Sequence, residues 1–81
     1  MDKESKFFFK HVLYCNETDW TCARERTYKG ALVRQFKNSA TKEKLTFTSL
    51  QDGDVKRVFI RGTINGQKVI TNAAVSSSFF K

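Results

Sequence analysis

The chain has 81 residues, of which 40% are hydrophobic, and its 15 lysines and arginines outnumber its 8 aspartates and glutamates to give a formal net charge of +7. This length allows one domain, residues 1–81, with a small core. The longest uninterrupted apolar run is four residues, whereas a membrane-spanning helix needs about 20, so the composition excludes a membrane span.

The charge and the N-terminal residues indicate the partners and the location to expect. A positive charge that is spread along the whole chain attracts polyanions, among them nucleic acid and acidic protein surfaces. Residues 1–6 carry both signs of charge and precede no long apolar run, so no signal peptide is visible. We therefore expect a cytoplasmic protein, the alternative being a mature chain whose signal peptide has been removed.

The first predicted element is a strand over residues 7–14, because its apolar side chains would fall on both faces of a central strand. His11, Cys15, Asp19 and Cys22 in this region are of the types that bind metals. Structural zinc sites normally separate paired cysteines by about two to four residues. Six residues separate the cysteines here, so we expect neither a metal nor another cofactor.

The same two cysteines leave a structural disulfide open. If residues 14–23 formed a hairpin, Cys15 and Cys22 would face each other closely enough to bridge. Closing so short a loop would stabilise the fold by about 2–3 kcal/mol. Two nearby thiols in a cytoplasmic protein are more often reduced and act as small hydrophobic side chains, which is the interpretation we prefer.

Residues 19–38 fit two different structures. As strands, residues 20–28 and 31–36 form a hairpin about Gly30. As a helix, the segment begins with Thr18 as its capping residue, but Gly30 in the helix interior costs about 1 kcal/mol. We prefer the strands and keep the helix as the alternative.

A short strand over residues 45–49 precedes the clearest element of the chain. In this strand Leu45 and Phe47 alternate with polar residues and are predicted to point inward. The clearest element is a hairpin of strands 55–64 and 67–75, joined by Asn65-Gly66, because this dipeptide is the strongest short hairpin signal.

The strand pairing across this hairpin sorts its side chains onto two faces. A type I′ turn at Asn65-Gly66 places Ile64 opposite Gln67. Because side chains alternate between the two faces of a strand, this pairing assigns every other residue of the hairpin to a face. One face carries the side chains expected in the core, namely Val58, Ile60, Val69, Thr71 and Ala73. The other face carries Arg57, Phe59, Arg61 and Ile70. The second face therefore presents an aromatic ring between two guanidinium groups.

Regular turns between short segments rich in β-branched and aromatic residues predict a mainly β fold. We predict a small antiparallel meander or a barrel-like sheet of five to six strands. If residues 19–37 are helical, the alternative is an α+β fold in which this helix packs on an antiparallel sheet. We predict no enzymatic activity, because the chain has one histidine, its only paired carboxylates lie in a turn at Asp52 and Asp54, and no glycine-rich loop is present.

Alternation of basic and aromatic residues is the one enriched pattern that indicates a function. We predict a nucleic-acid-binding surface built from Arg57, Phe59, Arg61, Arg24, Arg26 and Tyr28. Such side chains bind a single strand because cations follow its phosphates while its bases stack on exposed rings. Further basic and aromatic side chains come from Lys10, Arg34, Phe36, Lys37 and Lys44.

A protein-interaction module is the alternative function. An adaptor or inhibitor, of the kind found among the small accessory proteins of phages and mobile elements, would use the positive charge to dock on an acidic protein surface. The terminal residues Phe79 and Phe80 bear on this alternative, because they must pack on the domain or on a partner. With Phe7-Phe8-Phe9 they form either a patch within the monomer, which we favour, or a homodimer contact.

Overall fold

The computed structural model describes the backbone of residues 1–80 and the side chains of residues 1–79. The elements in chain order are helix α1 (Lys3–His11), a 3₁₀ turn (Glu17–Asp19), strands β1 (Trp20–Tyr28), β2 (Ala31–Asn38), β3 (Lys44–Asp52), β4 (Val55–Ile64) and β5 (Gln67–Ser76), and a second 3₁₀ turn (Ser77–Phe80). The five strands pair antiparallel in chain order to form one sheet. The predicted meander is therefore confirmed with five strands, and within the described residues the sheet is open rather than barrel-like. Among the described residues, no helical segment combines the length and the hydrophobicity that a membrane span requires.

The strand interpretation of residues 19–38 is confirmed, and the alternative helix over residues 19–37 is not formed. β1 and β2 make a hairpin whose last pair is Tyr28 with Ala31. The predicted hairpin at the C-terminus also forms as expected, with Ile64 opposite Gln67. Its turn residues Asn65 and Gly66 have φ angles of 53° and 80°, which are the left-handed values that a type I′ turn requires.

The predicted strand over residues 7–14 is wrong, because most of this segment belongs to helix α1 or its end. Its buried side chains are Ser5, Phe8 and Phe9, and Val12 packs beside them; this spacing of three, one and three residues is one face of a helix. Charge favours the same structure, since Glu4 lies in the first turn and Lys10 in the last, where each complements the helix dipole.

Helix α1 packs on one face of the sheet, which we call the helix face, and the hydrophobic core lies between them. Phe8 and Phe9 are the helix's contribution, and both are completely buried. The sheet contributes Trp20, Phe36, Leu45, Phe47, Val58 and Ile60. The predicted inward orientation of Leu45, Phe47, Val58 and Ile60 is therefore confirmed.

Polar contacts fix the N-terminal end of the helix to the sheet. Arg34 on β2 donates hydrogen bonds to Asp2 at 2.9 Å and to Glu25 at 3.3 Å. Glu4 accepts a hydrogen bond of 2.8 Å from the Ser49 hydroxyl. Because these contacts join the helix end to neighbouring strands, they orient α1 on the helix face.

Gly62 allows β4 to approach β3 closely on the helix face. Its φ angle is 152°, and a Cβ at this position would collide with the backbone oxygen of Lys44 and lie 2.9 Å from the Cα of Leu45. Since both obstacles are backbone atoms, a larger residue cannot be accommodated by side-chain movement alone. Gly62 is therefore required by the packing of two central strands.

Of the C-terminal aromatic residues, Phe79 contacts a ring within the chain but remains 62% exposed. The rings of Phe7 and Phe79 meet at a centroid distance of 4.9 Å. This contact supports the patch within the monomer for Phe79. The side chain of Phe80, which was included in the same prediction, lies outside the described residues.

Candidate nucleic-acid interface

The face of the sheet that points away from α1, which we call the open face, carries the predicted hairpin surface. On β4, Val58 and Ile60 are buried toward the helix, so the alternating residues Arg57, Phe59 and Arg61 point the other way. All three are exposed. The predicted Arg-Phe-Arg arrangement is thus formed on a surface that no described element covers.

A β-bulge brings the residues predicted on β1 to the same open face. Cys22 pairs with Phe36, and Arg24 pairs with the neighbouring residue Gln35, so Ala23 is the extra residue of the bulge. Phe36 is buried on the helix face, which places Gln35 and therefore Arg24 on the open face. Arg26 and Tyr28 follow at alternate positions.

Strand pairing shows how the predicted residues of β1 lie relative to those of β4. One row runs straight across the sheet through Arg24, Gln35, Thr46, Arg61 and Ile70. The next row runs through Arg26, Val33, Thr48, Phe59 and Asn72. The predicted residues of β1 and β4 therefore lie at matching heights, separated by three strand spacings or about 14 Å.

Charge on the open face is strongly one-sided. Alternation along the five strands gives it seven cationic side chains, namely Arg24, Arg26, Lys37, Lys44, Arg57, Arg61 and Lys68. Within the described strands its one carboxylate is Asp52, at the end of β3, which accepts a 3.0 Å hydrogen bond from Arg57. Both partners are at least half exposed, so this pair contributes at most about 1 kcal/mol and leaves Arg57 able to bind another anion.

Exposed apolar and aromatic side chains lie among these cations. Tyr28 is 57% exposed, Phe59 42%, Ile70 67% and Leu50 38%. The ammonium group of Lys29 lies 5.4 Å from the centre of the Tyr28 ring, a cation–π contact at the end of the β1–β2 hairpin. Rings held on paired strands and open to solvent are suited to stack against planar groups.

Two open depressions join across this surface. The larger, of about 610 Å³, has Lys44, Thr46, Arg61 and Lys68 among its lining residues, together with the apolar Val69 and Ile70. The smaller, of about 140 Å³, lies between Arg24, Arg26, Val33, Gln35 and Thr46. Because both are lined by Thr46, together they form a concave path across the strands from β1 to β5.

Three of the residues that we predicted as further basic and aromatic contributors lie away from the open face. One residue of the open face, Lys68, was not predicted. Arg34 points to the helix face, Phe36 is buried in the core, and Lys10 is on α1. Lys37 and Lys44, by contrast, are paired with each other on the open face. Lys68 was missed, although it alternates with Ile70 and so belongs to the face already predicted for that residue.

Glu43 connects the β2–β3 turn to the β4–β5 turn at the end of the open face where Lys44 lies. Its carboxylate accepts hydrogen bonds of 2.9 Å from the backbone N–H groups of both Asn65 and Gly66. These two hydrogen bonds, first from Gly66 and then from Asn65, lower the pKa of Glu43 below its ordinary value of 4.5. The carboxylate thus holds the β4–β5 turn against the β2–β3 turn and stays ionised at neutral pH.

The two cysteines form no bridge, and the hairpin over residues 14–23 that would have paired them is not formed. Cys15 and Cys22 are both free thiols. Burial, and secondarily the charge of Asp19, raises the pKa of Cys15 above 9.0, so this thiol is protonated at neutral pH. Across the described residues no group of three or more histidine, cysteine, aspartate or glutamate side chains is placed to hold a metal ion.

No family model, curated protein or solved structure matches the chain significantly.

Proposed function

We propose that the protein is a non-enzymatic module that binds nucleic acid through the open face of its sheet. The observation that carries this proposal is that the described strands place seven cationic side chains on one uncovered face and add to it, at its edge, the carboxylate of Asp52 alone. A polyanion gains from such a surface by releasing its condensed counterions as lysines and arginines neutralise its phosphates. Because nucleic acid is the proposed partner, we also propose that the protein acts in the cytoplasm.

The distribution of charge on the open face supports this proposal over the alternative that the positive charge only keeps the protein in solution. Charges that only kept a protein soluble would be mixed in sign over the surface. Here the acidic residues Asp2, Glu4 and Glu25 contact the helix face, where they pair with Arg34 and Lys56. The open face is thereby left with almost undiluted positive charge beside exposed rings.

Salt dependence of binding tests the proposal. We expect the protein to bind a labelled oligonucleotide in fluorescence anisotropy, with an affinity that falls steeply as salt rises. Arg24→Ala combined with Arg61→Ala should weaken binding. The double variant should also reduce the slope of log K against log salt by about 0.7 for each phosphate of a single strand that is no longer neutralised.

The matched control removes the same charge from the other side of the molecule. Lys6 and Lys10 are exposed on α1, so Lys6→Ala combined with Lys10→Ala lowers the net charge equally without touching the open face. This control should leave the slope unchanged. Absence of binding at low salt, or equal effects of the two double variants, would refute the proposal.

A protein-interaction module is the second candidate, and the exposure of Ile70 favours it. This apolar side chain lies on edge strand β5, beside a row of backbone groups that is unpaired within the described residues. A protein partner should remain bound after nuclease treatment and should dissociate from Ile70→Lys. Nucleic-acid binding predicts the opposite: nuclease removes the partner, and Ile70→Lys keeps or increases the affinity.

A further inference from the structure

The open face is divided into two halves of different chemistry. Toward the turns at Glu43 and Asn65 lie five cations and no carboxylate of the described strands, with the exposed Ile70 beside Arg61; we call this end the cationic half, and its cations are Arg24, Lys37, Lys44, Arg61 and Lys68. Toward the other end lie the exposed rings and an aliphatic side chain, with two arginines and Asp52, which we call the ring half: Arg26, Tyr28, Leu50, Arg57 and Phe59. The division follows from strand pairing, since the two halves occupy successive rows of the same strands.

The cationic half extends across the strands rather than along them. From Arg24 on β1 to Lys68 on β5 it crosses four strand spacings, about 19 Å. The concave path lined by Arg24, Thr46, Arg61 and Lys68 runs in the same direction. A phosphate backbone in this path would therefore run roughly perpendicular to the strands.

The distance between the two rings of the ring half determines which arrangement of bases can contact both. Tyr28 on β1 and Phe59 on β4 are three strand spacings and two residues apart, about 16 Å. Neighbouring bases in a duplex strand are only about 3.4 Å apart, and their faces are covered by one another. Two rings at this separation are reached together only by a strand whose bases are splayed apart.

From these two halves we infer that the ligand is a single-stranded nucleic acid lying across the strands, with its phosphates along the cationic half and its bases stacked on Phe59 and Tyr28. This inference rests on the proposed function and makes it more specific. A duplex contacts the cationic half alone, because its bases are already stacked on each other. Single strands are therefore bound more tightly than duplexes of the same sequence.

Abasic oligonucleotides separate the two halves experimentally. We compare a single strand of about 12 nucleotides, an abasic strand of the same length, and the duplex, each labelled and titrated by anisotropy at low salt. Phe59→Ala should weaken binding of the normal strand by about 5- to 150-fold, the range for one stacked base. The same variant should change binding of the abasic strand less than about twofold.

Two further tests complete the design. Lys44→Ala should weaken the normal and the abasic strand by the same factor, because this lysine binds phosphate in both. Phe59→Tyr keeps a ring and should retain binding of the normal strand, while Phe59→Leu keeps apolar bulk without an aromatic ring and should not. Since Phe59 is exposed and these variants retain side-chain bulk, they also keep the test informative if Phe59→Ala folds poorly.

The outcomes distinguish the inference from the proposed function. Binding with a steep salt dependence but with a preference for duplex, or with equal effects on normal and abasic strands in Phe59→Ala, would overturn the inference and leave the proposed function standing. No binding of any oligonucleotide by the unaltered protein would overturn both. The inference is supported if Phe59→Ala weakens the binding of strands that contain bases and leaves the binding of the abasic strand unchanged.

Discussion

Phe9 packs helix α1 against three aromatic rings of the sheet, and its replacement by leucine tests the helical packing. The Phe9 ring is completely buried and lies 5.7 Å from Trp20, 5.2 Å from Phe36 and 5.0 Å from Phe47, measured between ring centres. Leucine retains most of the apolar area but removes all three aromatic pairs. Each such pair contributes about 0.5–1.5 kcal/mol beyond burial.

The free energy of unfolding is therefore expected to fall by about 2–3 kcal/mol in Phe9→Leu, since leucine replaces part of the packing that the ring provides. For a domain of this length each kcal/mol lowers the midpoint temperature by about 4–8 °C, which gives a decrease of about 8–24 °C. Phe9→Ala should cost about 3–5 kcal/mol, because a cavity is added. Such a decrease is a large part of the stability of any small domain.

Urea unfolding followed by the fluorescence of Trp20, the single tryptophan of the chain, measures this change. Circular dichroism should report the same midpoint if unfolding is two-state. Phe59→Leu is the matched control, since it makes the same substitution on the exposed open face, and it should change stability by less than about 0.5 kcal/mol. Equal effects of the two substitutions would contradict the placement of Phe9 in the core and of Phe59 outside it.

Three further measurements test other parts of the structure. Gly62→Ala should destabilise the fold by on the order of 3 kcal/mol through its collision with the β3 backbone, whereas Gly53→Ala, where a Cβ has free space, should cost less; equal thermal midpoints would argue against this reasoning. The lowered pKa of Glu43 means that its ionised form stabilises the fold above pH 4.5 and that this contribution disappears as the pH falls through the folded-state pKa. Glu43→Gln should therefore be less stable than the unaltered protein at pH 7, with a difference that narrows at acidic pH and does not widen. Thiol titration at neutral pH should label the exposed Cys22 quickly and Cys15, whose pKa is raised by burial, slowly; equal rates would count against the burial of Cys15.

The C-terminal hairpin was predictable from sequence because a local signal determined its pairing. Asn65-Gly66 adopts the left-handed backbone angles that favour a two-residue turn, and this fixes Ile64 opposite Gln67. Once the pairing is fixed, the period of two assigns every side chain to a face. The Arg57–Phe59–Arg61 surface followed directly, and Lys68 could have been added by extending the same alternation by one step.

Helix α1 was not predicted, because a short apolar segment is ambiguous between a strand and a helix. Three consecutive phenylalanines favour a strand by propensity and hide the helical spacing of Ser5, Phe8 and Phe9. Tertiary packing decides the outcome, since a helix can insert Phe9 among three aromatic rings of the sheet. The charge distribution at the helix ends was the one local signal that could have corrected the assignment.

The position of the β1 residues on the open face depends on the bulge at Ala23, which strict alternation does not predict. Trp20 is buried toward the helix, so unbroken alternation would direct Arg24 and Arg26 to the helix face as well. Burial does not decide between the two arrangements, because every residue of β1 after Trp20 is exposed. One extra residue between Trp20 and Arg24 reverses the alternation, so Trp20 stays in the core while Arg24, Arg26 and Tyr28 reach the surface that carries Phe59.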